Sequence, residues 1–469
     1  MIWTGANDGP YHVTRDNGKS WTNVTPKDLP PGGRVQTVEP SPHRPGSAYV
    51  AVLRYLLGDF KPYAYKTDDY GATWRLLTTG SNGIPADEPV RVVREDPVRP
   101  GLLYAGTEFG VYVSFDDGAR WHSLRNNLPV VPVTDLRVHQ GDLVISTQGR
   151  SFWILDDVSP LRQLADSATA ARAHLFRPRD AWRMRYSAGF GGVESSRATP
   201  DAPQYPPAGA TIAYWLGPET SGPVTLDILQ GDRVIRSFSS ETPEPRARGG
   251  AVAAGAEGEP GAESAPGGEA AMRERPEGDT AVAAMQRAGT QRLPKQPGLN
   301  RMVWDLAHPG PWDANTERRG RNGPIATPGT YRIRLNAGGV TETQPLVVRE
   351  DPRVVRDGVT ARDLEAQLAH NLAVRDLVSD ANRLVARVQS ARRAAGAAVP
   401  DSLVRLERAL LGEPVRYGRP GLLAQITYLY GLTTAADQRI GRDAVERYRV
   451  LRAELDAMAR RAEGVLGGR

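Results

Sequence analysis

The sequence predicts a mainly β protein: a partial β-propeller of about 3.7 four-stranded blades, then a small β-sandwich, then an α-helical bundle. Three observations lead there. An octapeptide, [Ser/Thr]-x-Asp-x-Gly-x-x-Trp, occurs as TRDNGKSW (14–21), TDDYGATW (67–74) and SFDDGARW (114–121), placing Asp16, Asp69 and Asp116 53 and 47 residues apart. The stretches between the copies read as short apolar runs broken by Gly, Pro and Asp, and from residue 360 the apolar spacing becomes helical.

Taken in order, the first repeat supplies IWTGAN, YHVTRD and WTNVT, which are the second, third and fourth strands of a blade without the first. The second is complete: RVQTVEPS (34–41), SAYVAVLRY (47–55), PYAYKTDD (62–69) and WRLLTT (74–79). The third repeats it with VRVVRED (90–96), LLYAGT (102–107), VYVSFDD (111–117) and WHSL (121–124). A fourth consists of VTDLRVH, DLVISTQ and SFWILDD within 133–157, where the octapeptide has decayed to Leu-Asp-Asp-Val. Repeats of 20 to 50 residues are the mark of propellers and solenoids, and four strands make one blade.

The octapeptide has a physical reading as the hairpin between the third and fourth strands. Asp16, Asp69 and Asp116 accept hydrogen bonds from the turn, Gly18, Gly71 and Gly118 permit a positive φ, and Trp21, Trp74 and Trp121 pack between neighbouring blades. The three copies resemble the Asp-box (BNR) repeats shared by sialidases, xyloglucanase-like glycoside hydrolases and sortilin-type receptors. The run from LLYAGTEFG to SFWILDD (102–157) is similar to bacterial exported proteins of the sortilin-N-terminal or BNR "glycosyl hydrolase" type. That resemblance implies export, a protein- or glycan-binding propeller face, and a ligand site on the face opposite the boxes. Its alternative implication is a glycoside hydrolase using paired carboxylates.

Three and a fraction blades do not close a ring, so the expectation is that further blades precede Met1, and the lack of a leader at MIWTGANDG then says nothing about export. Composition excludes several classes. With no Cys in 469 residues there is no disulfide framework, thiolate metal site or Cys nucleophile. The net charge of +5 is spread without a basic block, which argues against nucleic acid, and no run of about 18 apolar residues exists to span a membrane.

Beyond the propeller (1–165) and an irregular connector (166–209), ATIAYWLG (210–217), a hairpin over 224–240, LNRMVWDL (299–306), PGTYRIRLNAGG (328–339) and TETQPLVVRED (341–351) make a β-sandwich over 210–351. GLNRMVWDL with ATPGTYRIRL is similar to FlgD-type immunoglobulin-like modules. The Ala/Gly/Glu/Pro-rich interruption at 241–298 cannot bury a core and reads as a disordered insert. Over 357–469, Thr360 with Asp363 forms a capping box, and Leu364, Leu368, Leu377, Leu384 and Val388 keep a helical stripe. Helices follow at 401–412 and 420–435, and Val445 to Ala462 carry the last.

No constellation announces catalysis, and no cofactor is expected. The seven histidines lack metal spacing, and SAGFGGVES lacks the lysine and the strand-to-helix setting of a phosphate loop. Acid pairs at 68/69, 116/117 and 156/157 sit at box turns, and the two REDP copies are strand exits. If boxes join strands three and four on one face, the connections between strands two and three emerge on the other. Asp8, Asp59, Glu108, Gln148 and Arg150 on those connections are the candidate ligand-facing residues, for a glycan or a peptide or protein ligand.

Overall fold

In the computed structural model, residues 1–164, 166–185, 208–241, 292–316, 318–396, 398–413 and 418–466 are described. The chain divides into two compact units, Met1–Ala168 and Thr169–Arg469.

The first unit is a succession of antiparallel sheets, each a meander of adjacent strands, in the manner of propeller blades. The first sheet holds β1 (Ile2–Gly5), β2 (Tyr11–Thr14) and β3 (Thr22–Asn23). The second holds β4 (Arg34–Pro40), β5 (Ala48–Leu53), β6 (Tyr63–Thr67) and β7 (Arg75–Leu76). In the third are β8 (Val90–Glu95), β9 (Leu103–Thr107), β10 (Val111–Ser114) and β11 (His122–Ser123). The fourth has β12 (Val133–His139), β13 (Asp142–Thr147) and β14 (Phe152–Leu155), and helix α1 (Ser159–Gln163) follows.

Core formation explains why the middle strands are continuous apolar runs. Every residue of β5 and β9 is buried, because one face of each strand packs on the sheet before it and the other on the sheet after. Tyr11 and Val13 cluster with Val50, Val52 and Tyr65; Tyr49 and Ala51 with Val90, Leu103 and Ala105; Tyr104, Val111 and Val113 with Leu136, Leu143 and Ile145. The fourth strands are shorter than their sequences suggested: only two residues pair in β3, β7 and β11.

Among the described residues the second unit contains two sheets around one core. One is ordered β15 (Ala173–Leu175), β17 (Ala210–Leu216), β20 (Gly298–Trp304); the other is β16 (Ala181–Arg183), β22 (Val340–Glu350), β21 (Gly329–Ala337), β18 (Thr225–Gln230), β19 (Arg233–Ser239). Ile212, Tyr214, Met302 and Trp304 of the first meet Leu226, Ile228, Ile333 and Leu335 of the second. Two corrections to the sequence reading arise here. The segment expected as an irregular connector, 166–209, includes α2 (Asp166–Ala170), β15 and β16, strands of three residues each. They are too short to show alternation and are stabilised by partners distant in sequence, β16 pairing parallel with β22. The insert expected over 241–298 ends sooner: Leu293 is buried in the sheet core and its N–H donates to the Ser239 carbonyl. Residues 242–291 and the glycine run at 189–192 lie outside the described residues.

Among the described residues five helices complete this unit: α3 (Pro352–Arg356), α4 (Ala361–Ala395), α5 (Asp401–Leu411), α6 (Leu422–Thr434) and α7 (Arg442–Leu466). The Thr360–Asp363 capping box is formed reciprocally at the start of α4. Val374, Leu377, Ala381, Leu384 and Val388 of α4 build a shared core with Leu403, Leu406, Ile426, Leu451 and Leu455. At the α6–α7 turn the buried Asp437 accepts from Arg183, the last residue of β16, and from Arg185 at 2.8 Å. Among the described residues no helix is long and apolar enough to cross a membrane.

Candidate functional site

The octapeptide turns are alike in atomic detail. Thr14 Oγ1 donates to Asp16 Oδ1 at 2.8 Å and accepts from the Gly18 N–H at 2.8 Å, while Ser20 N–H and Oγ donate to the same carboxylate at 2.9 and 2.6 Å. Thr67, Asp69, Gly71 and Thr73 repeat this set, and Ser114, Asp116, Gly118 and Arg120 do so with the guanidinium in place of the hydroxyl. The glycines have φ of 90°, 86° and 82°, and the residue before each, Asn17, Tyr70 or Asp117, is left-handed as well. In the decayed fourth copy Asp157 keeps that conformation, with φ of 58°.

These bonds account for the acidity of the carboxylates. Hydrogen bonds from Ser20, then Thr14, hold Asp16 at about 2. Those from Thr73 and Thr67 lower Asp69, and at Asp116 burial pulls upward but the bonds from Arg120 and Ser114 pull further down. Such groups stay ionised and fully engaged, a turn-holding chemistry and not one that exchanges protons. Trp74 Nε1 donates to the Val24 carbonyl at 2.6 Å and Trp121 Nε1 to the Leu77 carbonyl at 3.0 Å, each reaching the preceding sheet. Trp21 differs from the expectation of packing between blades: it belongs to the first sheet of the unit and is 44% exposed.

The box turns share their edge with the connections between first and second strands, since Tyr70 N–H bonds to the Gly46 carbonyl and Asp117 N–H to the Gly101 carbonyl. In a four-strand meander the second-to-third connections and the sheet-to-sheet connections must then share the other edge. There they surround an open depression of about 660 Å³ lined by Tyr55, Phe60, Pro89, Arg91, Glu108, Phe109, Val130, Pro132 and Gln148.

A backbone irregularity repeated in three sheets shapes this edge. The first strands β4, β8 and β12 each carry one extra residue opposite the second strand, namely Gln36, Arg91 and Thr134. In β8 the bulge places Arg91 against Glu108, 2.6 Å away, and neither side chain is more than 18% exposed. Glu108 N–H bonds to the Pro89 carbonyl and Gln148 N–H to the Pro132 carbonyl, so each connection is tied to the entry of its own sheet. Beneath them the buried Glu88 accepts from Thr107 Oγ1 and from the Tyr112 hydroxyl at 2.9 Å, bracing the β9–β10 hairpin that carries Phe109.

Of the residues expected from sequence, Glu108 and Gln148 line the depression together. Asp59 does not: its carboxylate accepts from Arg54 Nε and the Tyr63 hydroxyl, both at 2.8 Å, and from Lys61 N–H. Arg54 in turn donates to the carbonyls of Pro30, Pro31 and Gly32, so Asp59 anchors a loop whose next residue, Phe60, is the one presented. Asp8 is exposed on the β1–β2 connection and is not part of the lining. Arg150 is exposed two residues beyond Gln148, its carbonyl accepting from Trp153 Nε1 at 2.9 Å.

Sequence reasoning concentrated on charged residues and passed over Phe60, Phe109 and Val130, which are 54%, 47% and 63% exposed. Their signal was present: GDFK and TEFG each set a lone phenylalanine in a polar second-to-third connection. Among the described residues no group of three or more His, Cys, Asp or Glu side chains is placed to hold a metal ion.

No protein-family model matches the chain, and no curated protein does. Solved structures overlap it in part. YCF48 bound to a D1 peptide is 18% identical over 33% of this chain and 46% of its own, with a TM-score of 0.25. The GH74 xyloglucanase of Xanthomonas campestris is 15% identical over 31% and 24%, TM-score 0.24, and the GH74 enzyme of Niastella koreensis 12% identical over 46% and 33%, TM-score 0.27. The chain therefore spans less than half the length of each of these.

Proposed function

We propose that Met1–Ala168 is the ligand-binding part of an exported propeller protein and takes a protein or glycan ligand at the edge opposite the box turns. The immunoglobulin-like sandwich over 210–351 and the helical bundle over 357–469 are accessory to it. The observation that carries this reading is the set of large apolar side chains, Phe60, Phe109 and Val130, held exposed around one depression by loops whose carboxylates Asp59 and Glu108 are committed to Arg54 and Arg91. Exposed apolar clusters rimmed by polar residues mark interaction sites, and anchors of this kind supply most binding energy.

The test is binding of the intact chain to arrays of immobilised peptides and oligosaccharides. Phe60→Ala with Phe109→Ala should abolish the signal, and Asp116→Asn should leave it unchanged; retention in the double variant would remove the depression from consideration. Glycoside hydrolysis requires two carboxylates, and the described lining supplies Glu108 alone, ion-paired to Arg91. Release of reducing ends that is lost in Glu108→Gln and kept in Asp116→Asn would replace the binding reading with the enzymatic one.

A further inference from the structure

Resting on that reading of the depression, we infer that its ligand is an acidic peptide segment presenting one large apolar side chain, and not a saccharide.

The hydrogen-bonding inventory is the first ground. A sugar offers many hydroxyls and needs a comparable number of donors and acceptors around it, since a hydroxyl buried without a partner gives up its hydrogen bonds to water and gains none in return. The lining has little to give. Arg91 and Glu108 are joined to each other, the backbone N–H groups of Glu108 and Gln148 are bonded to Pro89 and Pro132, and those prolines have no N–H at all. Of the side chains, the Gln148 amide and the Tyr55 hydroxyl remain, beside Phe60, Phe109 and Val130. Walls of this kind suit an aromatic or branched aliphatic side chain.

Charge is the second ground. Acids and bases on the loops forming the depression are unequally committed. Asp59 is held by Arg54, Glu108 by Arg91, and Glu88 is buried under hydroxyl donors, which leaves Asp87 as the exposed acid. Lys61, Arg125 and Arg150 are all exposed, and none has an acidic partner among the described residues. Lys61 follows Phe60, and the Arg125 side chain lies against Gly110, next to Phe109: its Cδ is 3.2 Å from where a Cβ on that glycine would stand. An apolar centre inside a cationic margin is complementary to an apolar residue flanked by carboxylates, which would arrive by electrostatic attraction and be retained by burial.

Fluorescence anisotropy of the intact chain with three labelled, amidated heptapeptides tests this. Each has Gly/Ser ends; the centres are Asp-Phe-Asp, Lys-Phe-Lys and Asp-Ala-Asp. The first should bind at least tenfold more tightly than either other. Phe109→Ala and, independently, the exposed Val130→Ser should each weaken it about tenfold, while Arg125→Gln should weaken it about threefold and flatten its salt dependence. Far-UV circular dichroism confirms that each variant is folded. Equal binding of the lysine-flanked or alanine-centred peptide overturns the inference. So does binding of sialyllactose or a xyloglucan oligosaccharide, sensitive to the same variants, in place of the peptides, although the depression would then still be the site. If nothing binds, or binding ignores both Phe109→Ala and Val130→Ser, the functional reading fails as well.

Discussion

On the box edge of the sheets in Met1–Ala168, polar groups are consumed by their own neighbours, whereas on the loop edge apolar groups are left uncovered. Asp16, Asp69 and Asp116 close turns within four residues, and the first-to-second connection of the third sheet carries Asp96, wholly buried. Asp96 accepts from Arg162 Nε at 3.0 Å on both oxygens and from the N–H groups of Val98 and Arg99, while Arg99 donates to the carbonyls of Leu161, Arg162 and Leu164 at the end of α1. On the loop edge Asp59 and Glu108 are tied to Arg54 and Arg91, and phenylalanines project instead. The contrast teaches that an edge rich in charge need not be the reactive one. Saturated carboxylates hold shape, and uncovered apolar surface invites a partner.

The contrast can be broken in four ways. Asp96→Ala should act most strongly, because it strands the Arg162 guanidinium and two N–H groups; a loss of about 3 to 5 kcal/mol in urea unfolding is expected, and a loss below about 1 kcal/mol would show that this loop is not a keystone. Gly71→Ala comes next. At φ of 86° an alanine is strained, and its Cβ would stand 2.6 Å from Val24 Cβ of the preceding sheet. Together these cost about 2 to 4 kcal/mol, read from the same unfolding curve.

The third concerns acid. The box carboxylates titrate lower in the folded than in the unfolded chain, so their contribution is fully present above pH about 4 and disappears as pH falls through their folded values, Asp16 at about 2. Acid titration of circular dichroism should show stability falling between these limits, with a shallower fall in Asp69→Asn; an unchanged slope would mean the turns persist in the unfolded chain. The smallest effect on stability belongs to the loop edge. Phe109→Ala and Val130→Ser should stay within about 0.5 kcal/mol of the parent while each weakens ligand binding about tenfold, and a large destabilisation by either would turn the depression into part of the core.

Legibility differed between the two edges for the same reason that their chemistry does. The octapeptide could be read as a turn because its bonds run between residues two to four apart, and because Gly18, Gly71 and Gly118 mark a backbone conformation that other residues avoid. The capping box at Thr360 was legible on the same terms. The anchoring role of Asp59 is not legible because its partner Arg54 is positioned by carbonyls 22 to 24 residues away, and nothing in LLGDFKP records them. Arg91 carries no signal in the sequence because its direction depends on an extra residue in β8, visible only against the register of β9.

By itself, then, the sequence determined what is encoded over a few residues: the spacing of the repeat, the hairpins that end each third strand, the helical stripe after residue 360 and the apolar runs that become central strands. Only the tertiary structure decided which of the loop residues converge, that β15 and β16 complete two sheets, and that Leu293 belongs to a core. Local hydrogen bonds and backbone preferences act along the chain and leave a pattern in it; the surroundings of a side chain are set by segments tens to hundreds of residues distant, whose packing is settled by the burial of the whole.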